Sequence, residues 1–292
     1  MVRKTTKRKG SKRRKKRKPS NRKRNRLLFY GITVLVLLLT LYIFRFSFYR
    51  VARSFYIRMN HISFVTPSGE KNRISKVFDR YDDYVFGADF SHYQGIVNWN
   101  RIDTFSCGKP VSFVIVRATM GHDGKDMYFS YNWKKLKEKN IIRGAYHYYR
   151  PNENSLKQAN NFISRVKLKE GDLPPILDIE QVPTVQSVKN LRIGLKRWLD
   201  AVEKHYKVKP ILYTGDHYFK TYLSKRDFKD YTLWIANYSE SRHPRTGKWK
   251  MWQFTEKGNL NGVEGFVDFN VFRGSVDELK EILYQGVSTV KK

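Results

Sequence analysis

The sequence predicts an α/β protein, an irregular (β/α) barrel with a β-rich C-terminal part, preceded by one N-terminal transmembrane helix. Three observations predict it. Residues 27–44 (LLFYGITVLVLLLTLYIF) carry no charge, and at 1.5 Å per residue they reach about 27 Å, close to the depth of a bilayer core. From Val85 onward eight apolar extended runs follow one another: Val85–Phe90, Val111–Thr119, Ile141–Tyr149, Pro175–Glu180, Pro210–Gly215, Thr232–Tyr238, Trp249–Thr255 and Phe266–Phe272. Between the earlier runs lie amphipathic helical patterns. Strands alternating with such helices build a mostly parallel sheet covered by helices, and eight strands can close into a barrel.

Residues 1–26 contain sixteen Lys and Arg and no acid, a composition that cannot bury a core, so they read as a basic cytoplasmic arm. That arm supplies half of the formal net charge of +32. The apolar segment after it, taken as residues 27–49 with Arg45 snorkelling to the interface, is longer than the roughly 7–15 apolar residues of a signal peptide, and no small-x-small cleavage site follows it. It reads as an uncleaved signal-anchor. Cations are denser before the span than after it, where Arg45, Arg50, Arg53 and Arg58 stand. The amino terminus is therefore expected in the cytoplasm, and everything beyond residue 50 outside it, in a single-pass membrane protein. A basic arm can also bind nucleic acid, but beside a span, topology and contact with anionic lipid explain it with fewer assumptions. Nucleic acid is accordingly not expected as a partner.

Residues 50–84 read as a juxtamembrane stalk, with Val51–Phe64 as either more helix or a short strand and Thr66-Pro67-Ser68-Gly69 as a turn. Cys107 is the only cysteine, so no intrachain disulfide can form, and the domain must be held by its own core, for which about 200 residues are ample. In that domain Ser155–Val166 places Leu156, Ala159, Ile163 and Val166 on one helical stripe. Thr184–Tyr206 does the same with Val185, Val188, Leu191, Leu195, Trp198, Leu199 and Val202. The last three strands leave little room for helix between them, which makes the C-terminal part β-rich.

Chemistry in such barrels gathers at the carboxyl ends of the strands. Four acids fall near strand ends: Asp89 in the first strand, Asp178 and Glu180 in the fourth, and Asp268 in the eighth. The stretch Pro174–Glu180 carries the most information. A side-chain period of two puts Ile176, Asp178 and Glu180 on one face and Leu177 and Ile179 on the other. Carboxyls two residues apart on a strand sit on Cα atoms roughly 6.6–7 Å apart. Each charge then opposes ionisation of the other, so one group keeps its proton near neutrality, as acid-assisted bond cleavage requires.

At these residues the chain resembles glycoside hydrolase family 25, the lysozyme-type N-acetylmuramidases. The resemblance runs across nearly all of residues 85–285, leaving 286–292 as a tail. It is carried in order by Gly87 to Trp99 (GADFSHYQGIVNW), Val116-Arg117-Ala118-Thr119, Gly144 to Pro151 (GAYHYYRP), Pro175 to Glu180, Pro210 to Thr214 (PILYT), Leu233 to Tyr238 (LWIANY), Trp252-Gln253-Phe254 and Val267-Asp268-Phe269-Asn270. It implies a TIM-like barrel that cleaves the β-1,4 bond between N-acetylmuramic acid and N-acetylglucosamine in peptidoglycan. Glu180 is similar to the family's general acid/base, and Asp178, Asp89 and Asp268 complete its acidic cluster. Where the family often reads Lys-Ala-Thr-Glu-Gly, this chain has Arg117-Ala118-Thr119-Met120-Gly121, so a subsite role of that Lys or Glu does not carry over.

Pyranose rings stack on aromatic faces, and Tyr146, Tyr148, Tyr213 and Trp252 stand at matching strand ends as substrate-binding candidates. His147 reads as a hydrogen-bonded structural residue. No Cys/His cluster has metal-ligand spacing, no Gly-rich loop could cradle a phosphate, and Ser91-His92 lacks a triad context, so neither metal nor cofactor is expected. Beyond residue 86 there are 34 Lys/Arg against 22 Asp/Glu. This surplus must lie away from an acidic cleft, where it would draw the domain toward an anionic wall polymer or lipid surface. The alternative to an enzyme is a non-catalytic glycan-binding module of the same fold. Such a module needs stacking aromatics but has no use for paired acids.

Overall fold

The computed structural model describes residues 21–59, 64–224, 226–238, 242–246 and 248–286. The chain divides into two units, one ending at Arg53 and the other beginning at Ser54. Helix α1 (Asn21–Met59) is a continuous run of 39 residues. Within it Asn25–Tyr42 has a mean hydropathy of 1.7 and none of its residues is buried. The helix starts inside the expected basic arm, because Lys and Arg are good helix formers, and runs past residue 49 into the expected stalk. Residues 1–20 of the arm and 287–292 of the tail lie outside the described residues.

The second unit is built on a closed barrel. Its strands are β1 (Val85–Phe90), β2 (Phe113–Met120), β3 (Gly124–Lys125), β4 (Ile142–Tyr148), β5 (Ile176–Asp178), β6 (Ile211–Gly215), β7 (Thr232–Ala236), β8 (Trp249–Gly258) and β9 (Val267–Phe272). They lie in the order β1-β9-β8-β7-β6-β5-β4-β2-β3, and a further parallel pairing of β1 with β2 closes the ring, leaving β3 as an antiparallel flap on β2. Eight strands therefore form the barrel, as the eight apolar runs predict. The barrel is not all-parallel, since β9 runs antiparallel to both β8 and β1. Among the described residues no helix separates β7, β8 and β9, the β-rich part expected from the short connections.

Alternation along each strand divides the side chains between two cores. Phe113, Ile115, Ile176, Ile211, Tyr213, Trp234, Met251 and Phe272 fill the inside of the barrel. Val114, Val116, Leu177, Ile179, Leu212, Leu233, Ile235 and Phe254 face outward into a layer shared with the helices. Gly87 makes the inner layer fit: a Cβ there would collide with the carbonyl and ring of Phe113, so only glycine lets β1 and β2 approach with that ring between them.

Helices α3 (Phe129–Glu138), α4 (Ser155–Arg165) and α5 (Val188–Tyr206) contribute to the outer layer, followed in the chain by the short α6 (Asp216–Tyr218) and α7 (Val276–Glu281). Leu191, Leu195, Trp198, Leu199 and Val202 of α5 are all fully buried, as its stripe predicts. The helix starts later than Thr184, however. Ser187 caps it by accepting the Asn190 N–H at 3.2 Å, which leaves Val185 outside and 80% exposed.

The larger correction concerns the stalk. Ser68–Arg80 forms helix α2, and Pro67 precedes its first turn, so the Thr-Pro-Ser-Gly signal marks a helix start instead of a free turn. Ile74, Val77 and Phe78 of α2 are buried, with the Phe78 ring 4.6 Å from that of Phe86 and 5.2 Å from that of Phe105. Arg73 donates to the Phe254 carbonyl of β8, and Thr255 donates to Glu70. Upstream, the Thr66 N–H donates to Asn259 at 2.8 Å. The barrel domain thus extends back to about Phe64, where Asn259 donates to the Phe64 carbonyl at 2.7 Å.

Candidate active site

The carboxyl ends of the parallel strands bring the four predicted acids to one rim. β5 ends at Asp178, and the chain beyond it stays extended because Ile179 N–H donates to the Tyr213 carbonyl at 3.1 Å and Thr214 Oγ1 donates to the Ile179 carbonyl at 2.6 Å. Glu180 then falls on the Asp178 side of the strand. In the parallel register Tyr148, Asp178 and Tyr213 stand level across β4, β5 and β6. Asp268 reaches the same rim because β9 runs the other way, which puts its second residue directly opposite Asp89 of β1. Opposed residues of an antiparallel pair share a face, and the Gln253 amide bridges the two carboxyls, its Nε2 donating to Asp89 Oδ2 at 2.8 Å and to Asp268 Oδ2 at 3.4 Å.

Burial dominates the electrostatics. It pushes Asp89 up to about 7, against the opposing hydrogen bonds of Asn270 and Gln253. Asp178 is raised well above the usual carboxylate range by burial and then by the charges of Glu180 and Asp89, with Arg117 working against them. Asp268 is raised by burial and by Asp89 and Glu256. Glu180 sits at the exposed lip of the rim, yet desolvation of its carboxyl is still the largest cause of its raised pKa, opposed by the Tyr213 hydroxyl and reinforced by Glu256. Carboxyls raised in this way hold their protons to higher pH than free ones. One of them is also unfilled: Asp178 Oδ1 is buried and has no hydrogen-bond partner among the described residues.

From Glu180 a cleft of about 610 Å³ runs outward, lined among others by Tyr93, Arg117, Tyr148, Arg150 and Gln181. Arg117 is fixed there. Asp126 accepts its Nε–H at 3.2 Å and the His92 N–H at 2.8 Å, and the guanidinium also contacts the His92 ring. The Tyr93 ring lies over this guanidinium at 5.7 Å and is 72% exposed, an aromatic face open to the cleft. Tyr146 and Tyr213 stand deeper, close enough to the aspartates to feel their charges. Three of the four aromatic candidates, Tyr146, Tyr148 and Tyr213, therefore meet the acids. Among the described residues, no group of three or more His, Cys, Asp or Glu is arranged to hold a metal ion.

Residues 88–263 match the family described as Glycosyl hydrolases family 25. The chain belongs to that family. Within family 25 and its relatives, Lysozyme M1 of Streptomyces globisporus is 32% identical over 209 residues, covering 67% of this chain and 70% of its own. The uncharacterized protein YegX of Escherichia coli (strain K12) is 37% identical over 198 residues, covering 67% of this chain and 72% of its own. Among solved structures, the family 25 glycosyl hydrolase from Bacillus anthracis superposes with a TM-score of 0.62 at 28% identity, over 70% of this chain and 94% of that one. The bacterial lysozyme from Streptomyces coelicolor gives 0.61 at 31% identity, over 68% and 96%. As a family 25 member the protein is a glycoside hydrolase of the lysozyme type.

One candidate of this family 25 site lies elsewhere. Trp252 is fully buried and faces the outer layer, its Nε1–H donating to the Asn237 carbonyl at 2.9 Å and its ring edge-on to Tyr81 at 5.7 Å. The cause is strand alternation: Gln253 points into the barrel, so its neighbour on β8 points out. Trp252→Ala should accordingly cost about 3–5 kcal/mol of folding stability, read as a lowered denaturant midpoint, while KM for glycan stays within about twofold. A large KM rise with unchanged stability would return Trp252 to the cleft.

His147 is also away from the rim. It stacks on Trp198 at 5.4 Å between Thr119 and Gln158, and burial pushes it down to about 4. It is a neutral structural residue, as its sequence reading expects. Gln253 and Asn270, which touch Asp89, were not among the candidates. Both lie inside quoted motifs, and Asn270 shares a strand face with Asp268, a two-residue spacing that could have found it.

Proposed function

We propose that this family 25 hydrolase cuts peptidoglycan at the β-1,4 bond following N-acetylmuramic acid, with Glu180 as general acid/base. The observation that carries this reading is the gathering of Asp89, Asp178, Glu180 and Asp268 at one barrel rim, with the cleft opening beside Glu180. A protonated carboxyl at an exposed lip can reach a leaving-group oxygen. Asp178, level with Tyr148 and two residues before Glu180, would be the acceptor for an N–H of the substrate. A 2-acetamido group offers that N–H, and once oriented, its own oxygen can attack the anomeric carbon while Glu180 gives up its proton. Asp178 then steadies the positive charge of the bicyclic intermediate, and Glu180, now a base, activates the water that opens it. Tyr146, Tyr148 and Tyr213 would line the sugar path. Incubating the detergent-solubilised chain with purified peptidoglycan tests the linkage. Reducing ends that are N-acetylmuramic acid by mass support it, whereas reducing N-acetylglucosamine, or binding without cleavage, would refute it.

The reading extends to location. Asn25–Tyr42 is long and apolar enough to cross a membrane, and the sixteen cations of residues 1–26 would hold the amino terminus in the cytoplasm. The hydrolase domain would then stand outside, where its substrate is. Protease added to intact spheroplasts should remove the domain and spare only a small fragment. Full protection that disappears on permeabilisation would contradict this topology.

A further inference from the structure

Two amides face the Asp89–Asp268 pair and take no part in the chemistry described above. Gln253 and Asn270 are 2% and 0% exposed, and each is gripped at its carbonyl end. Asn270 Oδ1 accepts the indole N–H of Trp234 at 2.8 Å. Gln253 Oε1 accepts the hydroxyl of Tyr213 at 2.8 Å and that of Tyr238. An indole can only donate, so the Asn270 amide cannot turn over without setting donor against donor in a buried place. Its Nδ2 is therefore committed to Asp89 Oδ2, at 2.7 Å. Gln253 Nε2 reaches the same oxygen at 2.8 Å, and Asp268 Oδ2 more distantly at 3.4 Å.

Two N–H donors fixed on one oxygen favour its ionised form, and two carboxyls directly opposite on paired strands and bridged by one NH₂ oppose each other's ionisation, so the pair retains a proton. We propose that Gln253 and Asn270 are positioning residues that assign this proton, holding Asp89 as the carboxylate and Asp268 as the acid that donates to it. The amides are the largest influences opposing the rise of Asp89, whereas burial and the charges of Asp89, Glu256 and Glu180 raise Asp268, whose one amide contact is the longer one at 3.4 Å. The other titratable groups around the pair are Arg117 of β2, Tyr146 of β4, Asp178 and Glu180 of β5 and its extension, Tyr213 of β6, Tyr238 after β7, and Glu256 of β8. Arg117 is the one cation among them, and Asp126 already engages it. Charge on Asp89 raises the proton affinity of Asp178, so by favouring that charge the amides help the Asp178–Glu180 pair keep a proton.

Gln253→Glu and Asn270→Asp keep an oxygen for the tyrosines or the indole but replace the committed NH₂ by a group that donates only when protonated. The full-length variants are compared with wild type in melting temperature and peptidoglycan clearance from about pH 4 to 8. Both should lie nearest wild type at the acid end and fall away as pH rises, by about 5 °C or more and about tenfold in rate. A deficit equal at every pH, or one growing toward acid, overturns the assignment. Asp268→Asn supplies a permanent donor and should lose no more than about tenfold, against about 10²-fold or more for Asp89→Asn. Equal losses or the opposite order also overturn it. The kinetic arms rest on the hydrolase reading above, but the melting arm does not. A wild-type protein that leaves peptidoglycan intact would thus refute the substrate while the pH-dependent melting still decides where the proton is.

Discussion

Glu180→Gln keeps the fold and removes about 10²–10⁴-fold of the rate at which a peptidoglycan suspension clears. That range is what a positioned proton donor contributes, and the amide matches the carboxyl in shape but has no proton to give. The side chain lies at the exposed lip of the rim, so the substitution empties no cavity, and the amide oxygen can still accept from the Tyr213 hydroxyl. Melting should stay within a few degrees of wild type. A variant clearing at more than half the wild-type rate would take Glu180 out of the mechanism.

Asp178→Asn should lose about 10²–10³-fold, the cost of removing one preorganised group that meets developing charge. The amide retains an oxygen for the acetamido N–H but cannot bear the negative charge that the intermediate needs beside it. The geometry behind this expectation is one-sided. Asp178 and Glu180 leave the same strand face two residues apart, whereas a nucleophile and acid of an ordinary retaining pair flank the bond about 5–5.5 Å apart. Configuration should be retained in the first-formed anomer, seen by proton NMR, and a thiazoline analogue of the sugar should bind tightly to wild type and weakly to the variant. Inverted product, or a sugar ester trapped on Asp178, Asp89 or Asp268, would end this mechanism and leave only the proton donor.

The parts of the molecule legible in the sequence are those governed by a local period. Ile176, Asp178 and Glu180 had to share a face opposite Leu177 and Ile179, and the two inner and outer cores divide them that way. The stripe of α5 was equally plain. Helix α2 escaped notice because Pro67, Ser68 and Gly69 imitate a turn and the polar residues Glu70 to Arg73 dilute its short stripe. Only the tertiary partners Phe86, Phe105 and Phe254 show why Phe78 is there. Trp252 was misplaced because adjacency in a motif says nothing about which of two neighbours faces the cleft, a choice set by the register of β8 against β9. The amides were missed because their importance lies in cross-strand partners, Trp234 for Asn270 and Tyr213 for Gln253, each more than thirty positions away along the chain.

The seam between β1 and β9 has a consequence in time. Its members come from opposite ends of the domain, Val85 pairing with Phe272 and Asp89 with Asp268, so the ring cannot shut until the last strand has left the ribosome and travelled back to the first. Contacts so distant along a chain form late, because the entropy of joining them is lost before any contact repays it. Until that docking, Asp89 has neither Asp268 nor Asn270 beside it. A nascent or interrupted chain can therefore have β5 formed, with Asp178 at its end, while Asp89 still lacks the neighbours that the last strand brings. The rim on which the four acids gather is completed only by this last closure, so a domain cut short before β9 keeps three of its acids and never gains the fourth.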